Sequence, residues 1–498
     1  MRLSVLLQGS DVQPMAAVGA DPDIRGASLD SRRIEPGDLF FAIRGLRADG
    51  EAFVSEAIER GARAVVAGSP RPSEVAERIG WVQVEEPRKA AGLLSREYYG
   101  RPDEALCLVG ITGTNGKTTV THLVEAIGRA AGRRSGRIGT VGYAFEGEEQ
   151  PLERTTPEAP DFYRLLAEMR DREASLVAME VSSHALALSR VEGARFAAAA
   201  FLNLSRDHLD FHGDEGSYFE AKAKLFGALG PDQTAILPAE SPHGEELARR
   251  TRARVLRFGR SEEAEIRLCE EHSGLDGSSA ILETPAGKLP VRSFLLGGYN
   301  LENVAAAAAC AIALELPAES IPAGVLAVGG IRGRMERVDR GQPFTVLVDY
   351  AHTTAALERL LVWVRQVSDG RVAVVFGCGG ARDTEKRPAM GRVAAETADR
   401  IFLTSDNPRD EDPEAILQQI GEGVASVGGG SERCRTIPDR REAIRSAIAD
   451  AGSGDLVAIA GKGHETTQTF AGRVEPFDDR QVAIEALEEL GWKGRDAR

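Results

Sequence analysis

The stretch Leu106-Cys107-Leu108-Val109-Gly110 runs into Ile111-Thr112-Gly113-Thr114-Asn115-Gly116-Lys117-Thr118-Thr119, and then into TTVTHLVEAIGRAAG, a helical pattern that ends near Gly132. An apolar run, a glycine loop and an amphipathic helix, in that order, describe a parallel strand feeding a helix that packs back on its own sheet. Glycines let backbone N–H groups turn inward onto phosphate oxygens. Lys117 can reach β- and γ-phosphates, and the Thr118 hydroxyl can hold Mg²⁺. The general Walker spacing wants a glycine five residues before Gly116, where Ile111 stands. A tight strand–helix turn with an incidental lysine is the plain alternative. The coincidence of strand, loop, Gly-Lys-Thr and helix outweighs it.

The same alternation recurs along the chain. LCLVGIT, SLVAMEV and FAAAAFLNL each end in a polar or glycine-rich loop. After about residue 340, so do FTVLVDYAH, RVAVVFGCGG, RIFLTSDNP and LVAIAGKGHE. Two parallel sheets covered by helices follow, with ligand groups expected at the carboxyl ends of their strands. Before residue 100, short runs such as LFFAI (39–43) and ARAVVAG (62–68), separated by Gly, Pro and Asp, read as a smaller α/β unit. The fold class is therefore α/β in three domains. A small N-terminal α/β domain (1–100) and a central P-loop domain with a parallel-rich sheet (101–337) precede a C-terminal Rossmann-like domain (338–498). YYGRPDE (98–104) reads as a linker, and the tail KGRDAR as disordered.

A chain of 498 residues has the length of about three domains. No apolar stretch reaches 18 residues, so neither a signal peptide nor a membrane span is expected. Five cysteines, Cys107, Cys269, Cys310, Cys378 and Cys434, lie far apart without zinc or disulfide spacing, as suits a reducing cytosol. A net charge of −15 argues against a nucleic-acid surface. It leaves room for an anionic small substrate held by local Arg, Lys and Mg²⁺. The loop Gly377-Cys378-Gly379-Gly380 lacks the GxGxxG spacing, so a dehydrogenase reading is weak.

Two further strand ends belong beside the phosphate loop: Met179-Glu180-Val181-Ser182-Ser183-His184, and the loop 203–213 carrying His208. TGTNGKTT resembles the ATP loop of the Mur ligase family and of its relative folylpolyglutamate synthase, which join an amine to a carboxylate through an acyl phosphate. That family has a nucleotide-sugar-binding N-terminal domain, a central ATPase and a C-terminal Rossmann-like domain, and the order fits essentially the whole chain. The resemblance implies ATP as co-substrate and Mg²⁺ as cofactor. Gly113, Thr114, Asn115, Gly116, Lys117, Thr118 and Thr119 would cradle the phosphates. Asn300 in GGYNLENVAAA, Arg334 in GIRGRMERV and Asp349 in VDYAH would contact the nucleotide, with His352 nearby. Glu180 and His208 would serve at the metal. YFEAKAKLF (218–226) resembles the segment bearing a carbamylated lysine, and the Phe four residues on selects Lys222 over Lys224. Alone, each has a plainer reading: a helix cap for Glu180, a buried histidine for His208, solvated helical lysines, a helix-start Asn, an interdomain Arg, a strand-end Asp.

The substrate ends follow the same resemblance. Leu29-Asp30-Ser31-Arg32 with GDLFFAIRGLRADG resembles the UDP-binding region of the member that adds the third peptide residue, with Leu29, Ser31, Leu46, Arg47 and Ala48 as contacts. Thr155, Thr156, Ser182 and Arg190 resemble contacts to the muramoyl peptide. Arg154 stands where an Asn is common, and Leu188 where a Gln contacts the sugar nucleotide. Asp406-Asn407-Pro408-Arg409 matches the motif of meso-diaminopimelate-adding members. A bidentate Arg409 answers the distal carboxylate that lysine lacks, and Asp406 or Asn407 the ammonium. Arg387, Gly461 and Glu465 resemble the remaining amino-acid contacts. The plain reading of DNPR is an Asx-Pro turn.

The resemblance thus implies a cytoplasmic, monomeric ATP-dependent ligase. It would add meso-2,6-diaminopimelate to UDP-N-acetylmuramoyl-L-alanyl-D-glutamate in peptidoglycan precursor synthesis, without nucleic-acid partners or membrane insertion. The nearest alternative adds L-lysine. A folylpolyglutamate synthase is disfavoured by DNPR and the LDSR region, and a non-catalytic scaffold by the joint presence of Lys117, Glu180, His208 and Lys222.

Overall fold

A computed structural model describes residues 1–45, 48–381 and 383–494. Leu46, Arg47 and the last four residues of the tail lie outside the described residues. Three of the sheets carry the fold. The first has five strands in the order Ala16–Val18, Gly80–Gln83, Ala64–Ala67, Leu39–Ala42, Ala27–Ser28, all parallel except the first. Leu39–Ala42 and Ala64–Ala67 are buried at every position, as strands covered on both faces must be.

The second sheet has eleven strands. Its parallel centre places Cys107–Thr112, the strand entering the glycine loop, between Ala198–Phe201 and Leu176–Glu180. Register pairs Glu180 with Ile111 and Phe201 with Thr112, so three strand ends stand level about 4.8 Å apart. The topology thus does what the strand-end reading anticipates. Behind the loop, helix Lys117–Ala130 packs with the alanine-rich helix Gly298–Ala313 in one core that includes Val120, Leu123, Ile127, Val304 and Ala308.

The third sheet joins Glu336–Arg337, antiparallel, to Thr345–Asp349, Leu456–Ala460, Val372–Phe376, Arg400–Leu403 and Cys434–Thr436, all parallel. Its helices Lys386–Thr397 and Pro413–Ala425 pack without room for side chains at one crossing. A Cβ on Gly423 would stand 1.9 Å from the Pro388 carbonyl oxygen. Gly423→Ala is therefore expected to destabilise the protein by roughly 1–3 kcal/mol, measured by denaturant melts, because backbone cannot yield as a flexible side chain can.

The stretch 98–104, which joins the first unit to the second, is packed. Helix Pro87–Tyr98 is followed almost at once by the short helix Pro102–Ala105. Asp103, fully buried, pairs with Arg96 at 3.0 Å and accepts the Arg195 N–H at 3.0 Å. That ion pair, invisible in composition, ties the first unit to the second. Among the described residues no helix is long and apolar enough to cross a membrane.

Candidate active site

Gly116 has φ +90, and a Cβ there would meet the Asn303 Oδ1 at 2.4 Å, so only glycine lets the loop close on the helix beneath it. The loop is pinned to the next strand end. Asn203 accepts the Asn115 N–H at 2.9 Å and donates to the Asn115 carbonyl at 3.1 Å, while Thr114 N–H donates to the Asn203 carbonyl at 3.0 Å. The Lys117 ammonium donates to the Gly113 and Thr114 carbonyls, both at 2.9 Å, folding back over the loop's mouth. Burial pulls its pKa down while Glu180 and Asp207 pull it up. Thr118 and Thr119 are buried at the helix start. Asn300 sits one bond away: it accepts from Asn303 at 2.8 Å and donates to the Leu296 carbonyl at 2.6 Å.

Glu180 is 1% exposed, yet its carboxylate is fully engaged. Oε1 accepts from the Thr118 hydroxyl at 3.0 Å and the Thr140 N–H at 2.7 Å, and Oε2 accepts from the Thr140 hydroxyl at 3.0 Å. Thr140 in turn meets the Thr155 hydroxyl at 3.0 Å. Thr118 and Glu180 therefore present an oxygen pair beside the phosphate loop. Among the described residues no three His, Cys, Asp or Glu side chains gather as a metal cage. An oxygen pair of this kind suits Mg²⁺, which prefers oxygen ligands and keeps several waters.

Lys222 is 1% exposed, whereas Lys224 points to solvent. The Lys222 ammonium donates to the Gly113 carbonyl at 3.0 Å and lies 4.4 Å from the Tyr218 ring centroid. Burial first, and then the Lys117 charge, hold its pKa well below that of an ordinary lysine. Such an amine is readily neutral. His208 opens the helical turn Leu209–His212 at φ 54, and its ring stands edge-on to His184 at 4.8 Å. Burial pushes it down to about 3 despite Asp207, leaving a neutral imidazole.

The third sheet turns its strand ends toward this loop. Arg334 donates to the Thr118 hydroxyl at 3.1 Å and stacks 4.6 Å above the Tyr350 ring. His352 approaches Asp207 at 3.9 Å, and Arg206 pairs with Asp383 at 3.2 Å and with Glu385. The two sheets thus close over the phosphate loop. Asp349 spends an oxygen on each of the Met335 and Ala351 N–H groups, at 2.7 and 2.8 Å, and burial raises its pKa.

The DNPR loop leaves strand Arg400–Leu403 beside Gly461 and Glu465. Asn407 donates to Glu465 at 2.8 Å and accepts from Lys462 at 3.1 Å, and Lys462 donates to Glu465 at 2.9 Å. Asp406 is 8% exposed, and Gly461 follows Ala460, the register partner of Asp349. Pro408 is buried, and Arg409, at φ 55, donates to the Gly380 carbonyl at 2.6 Å. Arg387 lies against the same turn, donating to the Gly379 carbonyl at 3.3 Å. It is fully buried, and its fork is spent on Glu411 at 2.6 and 2.8 Å, with Gln419 at 2.8 Å.

At the other end, Thr156 is buried and donates to the Glu180 carbonyl at 2.8 Å, accepting the Ser182 N–H at 3.0 Å. Arg190 donates to the Thr156 carbonyl at 3.2 Å. Thr155, Thr156, Ser182 and Arg190 therefore form one cluster on the far side of Glu180. Ser31 is buried with its hydroxyl on Glu56 at 2.8 Å, Leu29 packs on the N-terminal core, and Ala48 is exposed. Sequence reading missed Thr140, Asn203, Asn303 and Lys462. Lys462 lies within the quoted GKGHE and Asn203 at a strand end, where a search was due. Nothing local marks Thr140.

Three family descriptions match the chain: "Mur ligase family, catalytic domain" over residues 23–99, "Mur ligase middle domain" over 111–311, and "Mur ligase, glutamate ligase domain" over 333–463. A UDP-N-acetylmuramoyl-L-alanyl-D-glutamate–2,6-diaminopimelate ligase from Solibacter usitatus is 43% identical over 96% of this chain and 97% of its own. The enzyme of that name from Geobacter metallireducens is 43% identical over 95% and 96%. A solved structure of such a ligase superposes with TM-score 0.66 at 32% identity, covering 94% of this chain and 95% of its own. A folylpolyglutamate synthase from Mycobacterium tuberculosis shares the fold at 21% identity and TM-score 0.63, over 82% of this chain and 96% of its own.

Proposed function

The chain belongs to the Mur ligase family, and on that premise we propose that it joins meso-2,6-diaminopimelate to UDP-N-acetylmuramoyl-L-alanyl-D-glutamate at the expense of ATP. It is an ADP-forming acid–amino-acid ligase of peptidoglycan precursor synthesis. One observation carries the reading. The phosphate loop with its Thr118–Glu180 pair adjoins the Thr156–Ser182–Arg190 cluster on one side and, through Arg334, the domain whose third sheet carries the DNPR loop on the other, so three substrates can converge. The work divides among residues 1–100 for the UDP moiety, 101–337 for ATP and 338–498 for the amino acid. We assign the enzyme to the cytoplasm as a monomer.

The loop residues 113–119 receive the ATP phosphates, with Lys117 released from the Gly113 and Thr114 carbonyls to meet them. Thr118 and Glu180 would hold Mg²⁺, with His208 at the rim. Bound there, it supplies positive charge against the charge that builds on the transferring phosphoryl group. The substrate carboxylate oxygen attacks the γ-phosphorus and ADP leaves, giving an acyl phosphate. The amine nitrogen of diaminopimelate then attacks the acyl carbon, and phosphate departs as the amide forms. Asn300, Arg334 and Asp349 line the nucleotide's side. Arg334 on Thr118 couples closure of the third sheet to an occupied loop, which keeps water from the acyl phosphate. At the amino-acid end Asp406 and Glu465 face the ammonium groups and Arg409 the distal carboxylate, with Asn407, Pro408 and Gly461 shaping the pocket.

Arg409→Ala tests that last assignment. Loss of a partly desolvated charge contact should cost roughly 2–5 kcal/mol. That is about 30-fold or more in kcat/KM for diaminopimelate. KM for ATP and for the UDP precursor should hold, and lysine, which lacks the distal carboxylate, should not lose equally. Steady-state kinetics with both amino acids decide it. An equal fall for both would show that Arg409 only supports the Gly380 turn.

A further inference from the structure

Three guanidiniums surround one carboxylate where the N-terminal unit meets the second sheet. Arg190 pairs with Glu158 at 2.9 Å, Arg154 donates to it at 3.4 Å, and Arg88 stands 3.7 Å away. Among the described residues no other acidic side chain pairs with these three arginines. Three positive charges share one negative charge in a cluster where Arg190 is 11% and Arg88 25% exposed. Burial lowers the pKa of both, and each also feels the charge of Arg154. Half-buried like charges are costly unless something anionic joins them.

The cluster is held rigidly at a substrate-facing place. Helix Pro87–Tyr98, which carries Arg88, lies so close to the second unit that a Cβ on Gly92 would stand 2.9 Å from the Glu192 carbonyl oxygen. Arg33 grips Asp161 at 2.9 and 3.1 Å across the same junction. Arg190 bonds the Thr156 carbonyl, Arg154 precedes Thr155, and Arg88 reaches the Leu188 carbonyl at 3.5 Å. Arg88 also lines a cleft of about 480 Å³ together with Arg44, Ala187 and Ser189. Arg154 and Leu188 are the two positions where this sequence departs from the expected pattern, and the cluster brings Arg88 and Arg154 to both.

We propose that Arg88 and Arg154 join Arg190 in a cradle for an anionic group of the UDP-linked substrate, and so determine specificity for it. The group is a diphosphate or a non-reacting carboxylate, and both offer oxygens that a guanidinium fork binds. This rests on the function proposed above and deepens it. Glu158 then serves as the placeholder that orders the arginines.

Arg154→Asn and Arg88→Met are compared with wild type. Arg154 is 46% exposed, so its replacement should not threaten folding. Expected is a rise in KM for the UDP precursor of about 3- to 10-fold for Arg154→Asn and more for Arg88→Met. The kcat, KM for ATP and Tm should stay unchanged, the salt dependence of KM should flatten, and Arg154→Lys should recover most of the loss. Inorganic pyrophosphate and glutarate, competed against the precursor, distinguish the two sources: the one whose inhibition weakens in the variants names the group. An unaltered precursor KM in both variants overturns the proposal. So does weakening of neither inhibitor, or a joint fall of all kinetic constants with Tm, which marks a structural clamp. If wild type fails to turn over, the function falls, and calorimetric binding of UDP and glutarate to the same variants still decides the cradle.

Discussion

Lys117→Ala will abolish ATP-dependent ligation in a protein that still folds. The side chain leaves only two hydrogen bonds behind, to the carbonyls of Gly113 and Thr114. Alanine is a good resident for the first turn of helix Lys117–Ala130. Removing an amine that is costly to bury also returns some stability, so Tm should move by no more than a few degrees. The catalytic loss is another matter. A preorganised positive charge aimed at the transferring phosphoryl is typically worth a factor of about 10²–10³ or more in kcat. Phosphate release, amide formation and calorimetric ATP binding in the presence of Mg²⁺ check it. Near-normal turnover in a folded variant would remove the phosphate loop from the mechanism.

The second large effect belongs to Lys222. Its ammonium is buried against the Gly113 carbonyl and the Tyr218 ring, with Lys117 opposing its charge. A neutral amine adds CO₂, forming an N–C bond and releasing a proton, and the product is a carboxylate beside the phosphate loop. Burial, the larger cause of the depressed pKa, disfavours either charge, but the Lys117 charge beside it favours an anion over a cation. Lys222→Ala should therefore lose about 100-fold or more of kcat and regain part of it with added formate or acetate. With ¹³C-bicarbonate, a carbamate carbon resonance should appear in wild type and in Lys224→Ala, and vanish in Lys222→Ala. The exposed Lys224 is the control, since its carbamate would be exchangeable and remote. A resonance that persists in Lys222→Ala, or none in wild type at saturating bicarbonate, contradicts the assignment.

What the sequence made legible was what is local. The glycine loop, its strand and its helix lie within 25 or so consecutive residues, and their chemistry follows from backbone geometry. The three-sheet organisation was readable because parallel strands are continuous apolar runs ending in polar loops. Lys222 over Lys224 came from the family resemblance, aligned on Phe226, and burial separates the two in the structure. What escaped was long-range. Thr140 holds Glu180 across 40 residues, Arg334 reaches Thr118 across 216, and Asn203 pins Asn115 across 88. No residue type or period announces such partners. In the connecting stretch 98–104, Gly, Pro and Asp signal a break in regular structure. They say nothing of a buried partner such as Arg96.

The most direct measurement combines purified protein, ATP, Mg²⁺, UDP-N-acetylmuramoyl-L-alanyl-D-glutamate and a panel of amino acids, read by phosphate release and product mass. The account predicts one phosphate released per product, ADP as the nucleotide product, and a mass increase of one meso-diaminopimelate less water, with L-lysine a poor substitute. Equal or better use of L-lysine would contradict the reading of the DNPR loop. Absence of any amino-acid-dependent phosphate release with this precursor would contradict the ligase itself.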